Sequence, residues 1–253
     1  MLIPFAWMLT SSFKMNKDVF TYPVVWWPKE FITSNYVRIW EEIPLLRYFF
    51  NTSKLTVLIT ILQLLTSTFA AYAFAKMKFP GKDFLFLSYI CTIAMPWQSY
   101  MIPQFIIIKK MGLVNTHLAL IILQSFTAFG VFLVRQFYME IPNEICEAAR
   151  IDGMSEYGIY AKIMLPLSKP VIATLTIFSF TTIWNDFMGP LIYINSQNLK
   201  TIQLGLRSFI TEYSSEYSLI MAGSVVALIP VLIVFACLQK YFVEGIASTG
   251  LKG

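Results

Sequence analysis

Long uncharged stretches dominate the chain, and charged residues mark their ends. Between Lys54 and Lys76 lie 21 residues without a charge. At about 1.5 Å of rise per residue, a helix of that length spans a hydrocarbon core of roughly 30 Å. Three further stretches of 25, 24 and 23 uncharged residues are bounded by Asp83 and Lys109, by Lys110 and Arg135, and by Glu216 and Lys240. The pattern predicts four membrane-spanning helices on length alone.

Two other apolar segments are less regular. Residues 170–194 contain one charge, Asp186, and are predicted to form another spanning helix. Residues 1–13 are too short to span a bilayer, and they lack the basic start and small-residue cleavage site of a signal peptide. We expect them to be the end of a first spanning helix that begins before Met1. The predicted fold is an all-α membrane protein with about six transmembrane helices, the first incomplete in this chain.

The predicted organisation is a single transmembrane domain over residues 1–253. Its parts in chain order are the end of helix 1 (1–13), an external loop (14–53), helix 2 (54–76), helix 3 (83–108), helix 4 (113–135), a cytoplasmic loop (143–166), helix 5 (169–194) and helix 6 (217–240). The basic turn over 76–82 is expected inside and the loop over 195–216 outside. Prolines within the predicted spans indicate kinks at Pro96, Pro103, Pro190 and Pro230.

Composition favours lipid as the surrounding solvent. Hydrophobic residues make up 57% of the chain and charged residues 13%, about half the charged share of an ordinary soluble domain. The net charge of +5 comes from scattered basic residues that form no stripe, so no nucleic-acid partner is predicted. Cys91, Cys146 and Cys237 share no metal-ligand spacing, and His117 is expected to be a hydrogen-bonded structural residue. No metal, cofactor or catalytic residue is predicted.

Residues 143–166 predict a helix, a tight turn and a second helix outside the membrane. Asn143 is a favourable N-cap for the first helix. Gly153 can adopt the left-handed conformation that ends a helix. Ser155 can then cap the second helix, which is expected to run to Pro166.

The same segment contains Glu-Ala-Ala, three residues, Gly, nine residues, Ile, one residue and Leu-Pro. These positions are Glu147, Ala148, Ala149, Gly153, Ile163, Leu165 and Pro166. The pattern, after at least three apolar spans, resembles the cytoplasmic coupling loop of ABC importer permeases. The strings WPKEF, AAYAFAKMKFPGKD, WNDF and QKYFVEGIASTGLKG are similar to the carbohydrate-transport branch, which includes the maltose-type inner-membrane permease. The resemblance covers essentially the whole chain. Cys146 departs from the family's usual acidic or helix-forming residue, which is expected to alter the surface charge of the loop.

The resemblance implies a permease subunit of an ATP-driven importer, which translocates a sugar delivered by an extracellular binding protein. It also implies a second, related permease, two ATP-binding subunits beneath the pair, and a multi-pass location in a bacterial or archaeal inner membrane. The chain would then be a transport subunit and not an enzyme. Its sequence contains no G-x-x-x-x-G-K-[ST] motif, so ATP hydrolysis is assigned to a partner.

The first group of candidate site residues is a predicted interface with the ATP-binding subunit. It consists of Glu147, Ala148, Ala149, Asp152 and Gly153. Ile145 and the two alanines are expected on one exposed face, where bulk would hinder docking. Glu147 is predicted either to contact an arginine of the partner or to pair with Arg150 in its own helix. The alternative for Asp152 is a structural role as a turn residue.

The second group is a predicted substrate path formed by Trp184, Asn185 and Asp186. A carboxylate at mid-depth in a bilayer costs at least roughly 2.5–3.5 kcal/mol, so Asp186 must face protein or water. It either lines the sugar path or lies at a helix end, where a neighbour satisfies it. Trp184 is a candidate because sugars bind aromatic faces.

Three other interpretations stay open. The chain could be an ABC permease for a non-sugar solute, such as a polyamine or phosphate. An intramembrane enzyme would need paired polar catalytic groups within the spans, where Asp186 is the only charge. A channel or secondary carrier needs no Glu-Ala-Ala loop, and binding of a separate ATPase would distinguish it.

Overall fold

A computed structural model describes residues 2–210 and 215–250, without the side chains of residues 242–250. Within these ranges the chain is helical, with no strand beyond an isolated bridge between Ile210 and Ser215. The all-α class is thus as predicted. The helices are α1 (Ile3–Ser11), α2 (Asn35–Glu41), α3 (Leu45–Lys76), α4 (Lys82–Cys91), α5 (Met101–Lys110), α6 (His117–Gln124), α7 (Ala128–Glu140), α8 (Asn143–Ile151), α9 (Glu156–Ile159), α10 (Leu165–Leu167), α11 (Lys169–Trp184), α12 (Met188–Tyr193), α13 (Ile202–Arg207) and α14 (Tyr217–Gly250).

Among the described residues, three segments are long and apolar enough to cross a membrane. They are α3, α6 together with α7 over His117–Glu140, and α14 over Tyr217–Tyr241. A fourth candidate is a pair of helical segments, Glu156–Leu167 and Lys169–Trp184, bent by 78°. The helices α3 and α14 correspond to predicted helices 2 and 6. Both are longer than predicted, and residues 45–53, expected in a loop, form the first turns of α3.

The predicted helix over 83–108 is not continuous. Residues 92–100 separate α4 from α5 and form only short 3₁₀ turns. Pro96 explains the break, because the residue before a proline is pushed out of the helical conformation. Met95 accordingly has φ −85° and ψ 113°. Pro103 lies in the first turn of α5, where proline is tolerated.

The predicted fourth span is also interrupted, between α6 and α7 at residues 125–127. Here the backbone carbonyls are satisfied by α3. The Gln63 side chain donates to the carbonyl of Gln124 at 2.6 Å, and Thr66 donates to that of Ser125 at 2.9 Å. A neighbouring helix therefore supplies the polar partners that a break within a membrane needs.

The chain forms two compact units. The first contains the described residues of Met1–Leu55, Asn115–His117 and Trp184–Ile233. In this unit α13 packs against the first turns of α3. The Tyr48 ring is 1% exposed, and a Cβ added at Gly205 would lie 2.4 Å from it. His117 is hydrogen-bonded to the carbonyl of Leu199 at 2.9 Å, which confirms its predicted structural role. Thr52 on α3 also accepts a backbone hydrogen bond from Ile202 at 2.9 Å.

The second unit contains the described residues of Thr56–Val114, Leu118–Ile183 and Val234–Gly253. Its core draws buried residues from α3, α7, α8, α9, α11 and the turn before α10. They are Ala71, Tyr72, Val134, Tyr138, Cys146, Ala149, Ile159, Met164, Val171 and Leu175. The segment that follows α7 is therefore packed onto the long helices and is not a free loop.

Candidate functional site

Residues 143–167 carry the Glu-Ala-Ala pattern and are called the coupling segment below. The segment consists of α8, a tight turn, α9, a π-helical turn over Tyr160–Met164, and α10. Gly153 has φ +80°, the left-handed conformation expected of it. The Ser155 hydroxyl accepts a hydrogen bond from the Gly158 N–H at 3.3 Å and caps α9. Both local predictions are confirmed.

The helix α8 has one buried and one exposed face. Cys146 and Ala149 are only 1% and 6% exposed and lie in the core beside Tyr72. The prediction that Ala149 shares an exposed face with Ala148 is wrong, because bulk at Ala149 would meet the chain's own core. The expected effect of Cys146 on surface charge is also wrong. Burial raises the pKa of this thiol, so it stays neutral inside the protein.

Arg150 pairs with Glu156 and not with Glu147. Its Nε lies 2.7 Å from Glu156 Oε1. The Tyr72 hydroxyl of α3 donates to the other oxygen of the same carboxylate at 2.5 Å. The turn at Gly153 makes this possible, because it brings the start of α9 back beside the end of α8. Glu147 is exposed and forms no ion pair with any described residue.

Asn143 contacts α3 instead of capping α8. Its Oδ1 accepts a hydrogen bond from Lys76 Nζ at 2.8 Å, and the same ammonium donates to the carbonyl of Ile141 at 2.5 Å. Pro142 occupies the N-cap position. The predicted N-cap is therefore wrong, and the side chain instead fixes the start of the coupling segment to the last residue of α3.

Two exposed apolar side chains belong to the outer surface of the coupling segment and were not predicted. Ile151 is 87% exposed and Tyr157 is 72% exposed. Ile151 lies four residues after Glu147, so the two share a helix face with Ala148 nearby. The feature of the sequence that could have indicated this surface is Ile151, an isoleucine on the same helix face as polar Glu147. Ile151 and Tyr157 thus add apolar area to this exposed surface.

The remaining predicted interface residues lie at the turn. Asp152 follows the last residue of α8, and both Asp152 and Gly153 are exposed. A Cβ added at Gly153 would meet no atom within 4 Å. The constraint at this position is therefore backbone conformation and not space within the chain. The structure brings Glu147, Ala148, Asp152 and Gly153 to the outer side and separates Ala149 from them.

The second predicted group lies between α11 and α12. Trp184 is 1% exposed, its indole N–H donates to the carbonyl of Ala227 at 2.8 Å, and Phe49 packs edge-on against its ring at 5.5 Å between centroids. A ring buried in this way has no face for a sugar. Trp184 is a core residue, and its predicted role as a sugar platform is corrected.

Asp186 lies at a helix end. Its carboxylate accepts a hydrogen bond from the backbone N–H of Gly189 at 3.1 Å, in the first turn of α12. This is the geometry of the helix-end alternative, and it also explains why the predicted span over 169–194 breaks here. Asn185 is exposed, and its Oδ1 accepts a hydrogen bond from Gln203 at 3.2 Å.

Comparison with known proteins places these features in a family. The family model described as "Binding-protein-dependent transport system inner membrane component" matches residues 63–248. The arabinooligosaccharides transport system permease protein AraQ of Halalkalibacterium halodurans is 33% identical over 255 residues, which is 100% of this chain and 91% of that protein. The melibiose/raffinose/stachyose import permease protein MelC of Bacillus subtilis is 32% identical over 255 residues, 99% of this chain and 91% of that protein.

A solved structure agrees with these sequence relatives. A bacterial ABC transporter involved in the import of the acidic polysaccharide alginate contains a chain that matches with a TM-score of 0.84 and 25% identity. The match covers 95% of this chain and 90% of the other. The family model includes the whole coupling segment, and the relatives align over nearly the full length. The chain therefore belongs to the binding-protein-dependent transport system inner membrane components, the permease subunits of ABC importers.

Proposed function

We propose that this chain carries a sugar across the inner membrane, and that its coupling segment receives the movement of an ATP-binding partner subunit. The observation that carries the proposal is the two-sided construction of the segment. Its inner side is fixed to long helices, and its outer side is exposed. The sugar is proposed because AraQ and MelC are named for sugar transport.

The inner side provides a rigid connection. Cys146 and Ala149 are packed in the core, and Glu156 is bound by Arg150 from within the segment and by Tyr72 from α3. Close-packed interiors transmit displacement instead of absorbing it. A push on the coupling segment is therefore expected to move α3 and α7 with it, as a rigid-body transition requires.

The outer side provides the docking surface. Glu147, Ala148, Ile151, Asp152 and Gly153 are all exposed. In the proposal, the small residues let the partner approach closely, Ile151 enters an apolar depression, and Glu147 meets a basic group. Ala149 contributes only indirectly, since it holds α8 against the core.

The proposed topology has six segments across the membrane. They are formed by α1, α3, α4 with α5, α6 with α7, α11 with α12, and α14. The coupling segment and residues 76–82 lie in the cytoplasm, and the loops over 14–53 and 195–216 lie outside. The interrupted segments are compatible with spanning, because broken helices are tolerated where they face protein or water.

The proposed assembly contains a second, related permease, two ATP-binding subunits and an extracellular binding protein. Asn185 and Asp186 stay candidates for the solute path, since both are at least partly exposed. For Asp186, any contact with a sugar hydroxyl would share the carboxylate with the Gly189 N–H.

Uptake by reconstituted vesicles tests the proposal. The chain is co-expressed with its genomic neighbours, purified as a complex, and supplied with ATP inside the vesicles. Arabinooligosaccharides, melibiose and raffinose are offered beside a polyamine and phosphate. We expect ATP-dependent uptake of at least one sugar. Uptake of only the polyamine or phosphate would overturn the sugar assignment, and sugar uptake without ATP would overturn the role of the coupling segment.

A further inference from the structure

We propose that residues 92–100, the interruption between α4 and α5, line the aqueous solute path near the middle of the membrane and bind hydroxyl groups of the solute. This inference rests on the proposed function and assigns it a binding region. The expected ligand is a polyhydroxylated molecule such as a sugar. The supporting observations are the depth of the interruption, its exposure and its polar side chains.

The position of the interruption places it at mid-depth. The helices α4 and α5 contain 10 residues each, so each is about 15 Å long at about 1.5 Å per residue. Asp83 and Lys109 bound the uncharged stretch, and charges at both ends of such a stretch mark the two membrane surfaces. In a hydrocarbon core of roughly 30 Å, residues 92–100 lie about half-way across.

The interruption is open in the chain itself. Every residue from 92 to 100 is exposed except Trp97, which is half-buried. Irregular backbone does not face lipid, because its polar groups would lack partners there. At residues 125–127 the side chains of Gln63 and Thr66 provide such partners. At residues 92–100 the hydrogen bonds within the described chain are local, to positions at most seven residues away.

The polar side chains point to the same conclusion. Gln98 is exposed, and its amide makes no hydrogen bond with any described residue. An unpaired amide is strongly unfavourable in hydrocarbon. Ser99 donates to the carbonyl of Pro96 at 2.7 Å, so its oxygen can still accept a hydrogen bond. These groups need water or a polar ligand at a depth where lipid supplies neither.

The chemistry of the interruption suits a sugar. An amide both donates and accepts hydrogen bonds, as a sugar hydroxyl does. Trp97 is held by a hydrogen bond from its indole N–H to Gln104 at 2.9 Å, and Tyr100 is 39% exposed. Two aromatic rings next to an amide and a hydroxyl offer apolar faces for the C–H groups of a sugar ring and polar groups for its hydroxyls.

Thiol accessibility tests the water-lined path without knowing the solute. Cys91, Cys146 and Cys237 are replaced by alanine, and single cysteines are placed at Gln98 or Ser99. The matched controls are single cysteines at Leu87 and Ile106, which are 63% and 48% exposed within α4 and α5. The complete importer in vesicles is treated with a charged methanethiosulfonate reagent, with and without ATP and vanadate.

We expect modification at positions 98 and 99 to be at least about tenfold faster than at positions 87 and 106 in one of the two nucleotide states. Unreactive cysteines at 98 and 99 in both states would show that the interruption is not lined by water, and would overturn the proposal. Equal rates at all four positions would overturn it as well, since the interruption would then be no more open than its flanking helices.

Substitution of the amide tests binding. Gln98→Leu is expected to raise the KM for the transported sugar at least about fivefold, while complex assembly and ATP hydrolysis without solute are retained. Gln136→Leu, at an exposed position of α7, is the matched control and should leave the KM unchanged. An unchanged KM in Gln98→Leu would refute sugar binding here. A wild-type complex that imports no sugar would instead refute the proposed function, and the thiol experiment would still decide whether the path is water-lined.

Discussion

The coupling segment and the interruption at residues 92–100 both depart from a plain spanning helix, but they are built differently. The coupling segment places Cys146 and Ala149 in the core and has its Glu156 carboxylate bound from two sides. The interruption is exposed almost throughout and makes only local hydrogen bonds. The difference indicates that the chain is closely packed where it is proposed to receive movement and open where polar solute is proposed to pass.

Packing and not charge supplies most of the rigidity of the coupling segment. The Arg150–Glu156 pair is 36% and 37% exposed, and pairs of that kind contribute about 1 kcal/mol or less. Truncation of one well-packed core side chain costs about 2–5 kcal/mol. Residues such as Met164 and Ile159 therefore fix the segment, and the ion pair adjusts the position of its turn.

Substitution of Gly153 is expected to have the largest effect on the coupling segment. Proline cannot adopt φ +80°, since its ring fixes φ near −65°. Gly153→Pro is expected to abolish ATP-driven uptake and co-purification of the ATP-binding subunit, while the chain still inserts into the membrane. Gly153→Asn is the control, because asparagine tolerates the left-handed conformation, and it should retain uptake. Normal transport by the proline variant would show that the turn is unimportant for coupling.

Ala148 and Ala149 sharpen the distinction between the two faces of α8. Ala149→Trp overfills the core, and overpacking typically costs about 1–3 kcal/mol or more. We expect a lower thermal midpoint of the purified complex. Ala148→Trp should leave the thermal midpoint of the permease chain itself unchanged and instead release the ATP-binding subunit, because Ala148 is exposed. Thermal unfolding and co-purification of both variants separate the effects, and the same outcome for both would contradict the assigned faces.

Loss of the Tyr72–Glu156 hydrogen bond is expected to have an effect of intermediate size on uptake. Tyr72→Phe removes one contact worth about 1 kcal/mol, and Glu156→Gln weakens both that contact and the ion pair with Arg150. We expect about a fivefold or smaller loss of uptake per ATP hydrolysed, with non-additive effects in the double variant, since the two side chains share one interaction. Glu147→Gln is the control for thermal stability, because Glu147 has no ion pair among the described residues. Fully additive losses of uptake in the double variant would show that Tyr72 and Glu156 act independently.

Substitutions in the interruption are expected to have the smallest effect on stability. Gln98→Ala and Ser99→Ala should change the free energy of unfolding by less than about 0.5 kcal/mol, as is usual for exposed positions that contact little. Denaturation of the purified complex measures this. A loss as large as that of Ala149→Trp would mean that residues 92–100 are packed against a partner subunit, and the comparison between a fixed and an open region would fail.

The sequence predicted the features that depend on local chemistry. Uncharged runs identified α3 and α14, and the conformations of Gly153 and Ser155 followed from turn and capping preferences. The break at Pro96 was visible as a predicted kink, although its extent over nine residues was not. These features depend on neighbours in the chain, so one sequence is enough to infer them.

Features that depend on distant residues were not predicted. The ion pair between Arg150 and Glu156 was not predicted, because the position of Glu156 also depends on its hydrogen bond with Tyr72, which lies 84 residues earlier. Ala149 was placed on the wrong face because helical spacing does not say which face meets the core. The break at residues 125–127 contains no proline, and only the contacts from Gln63 and Thr66 reveal how it is accommodated. Trp184 was predicted to bind sugar because it is aromatic, but a sequence does not show that its ring is buried.

The contact between Arg150 and Glu156 across the turn at Gly153 has a consequence for the evolution of such permeases. The two side chains are joined through a turn of fixed length between α8 and α9, so inserting or deleting one residue there would displace the start of α9 relative to α8. Glu156 would then leave both Arg150 and Tyr72. Lineages are therefore expected to diversify this surface by point substitution at exposed positions such as Glu147 and Ile151, and to purge changes in its length.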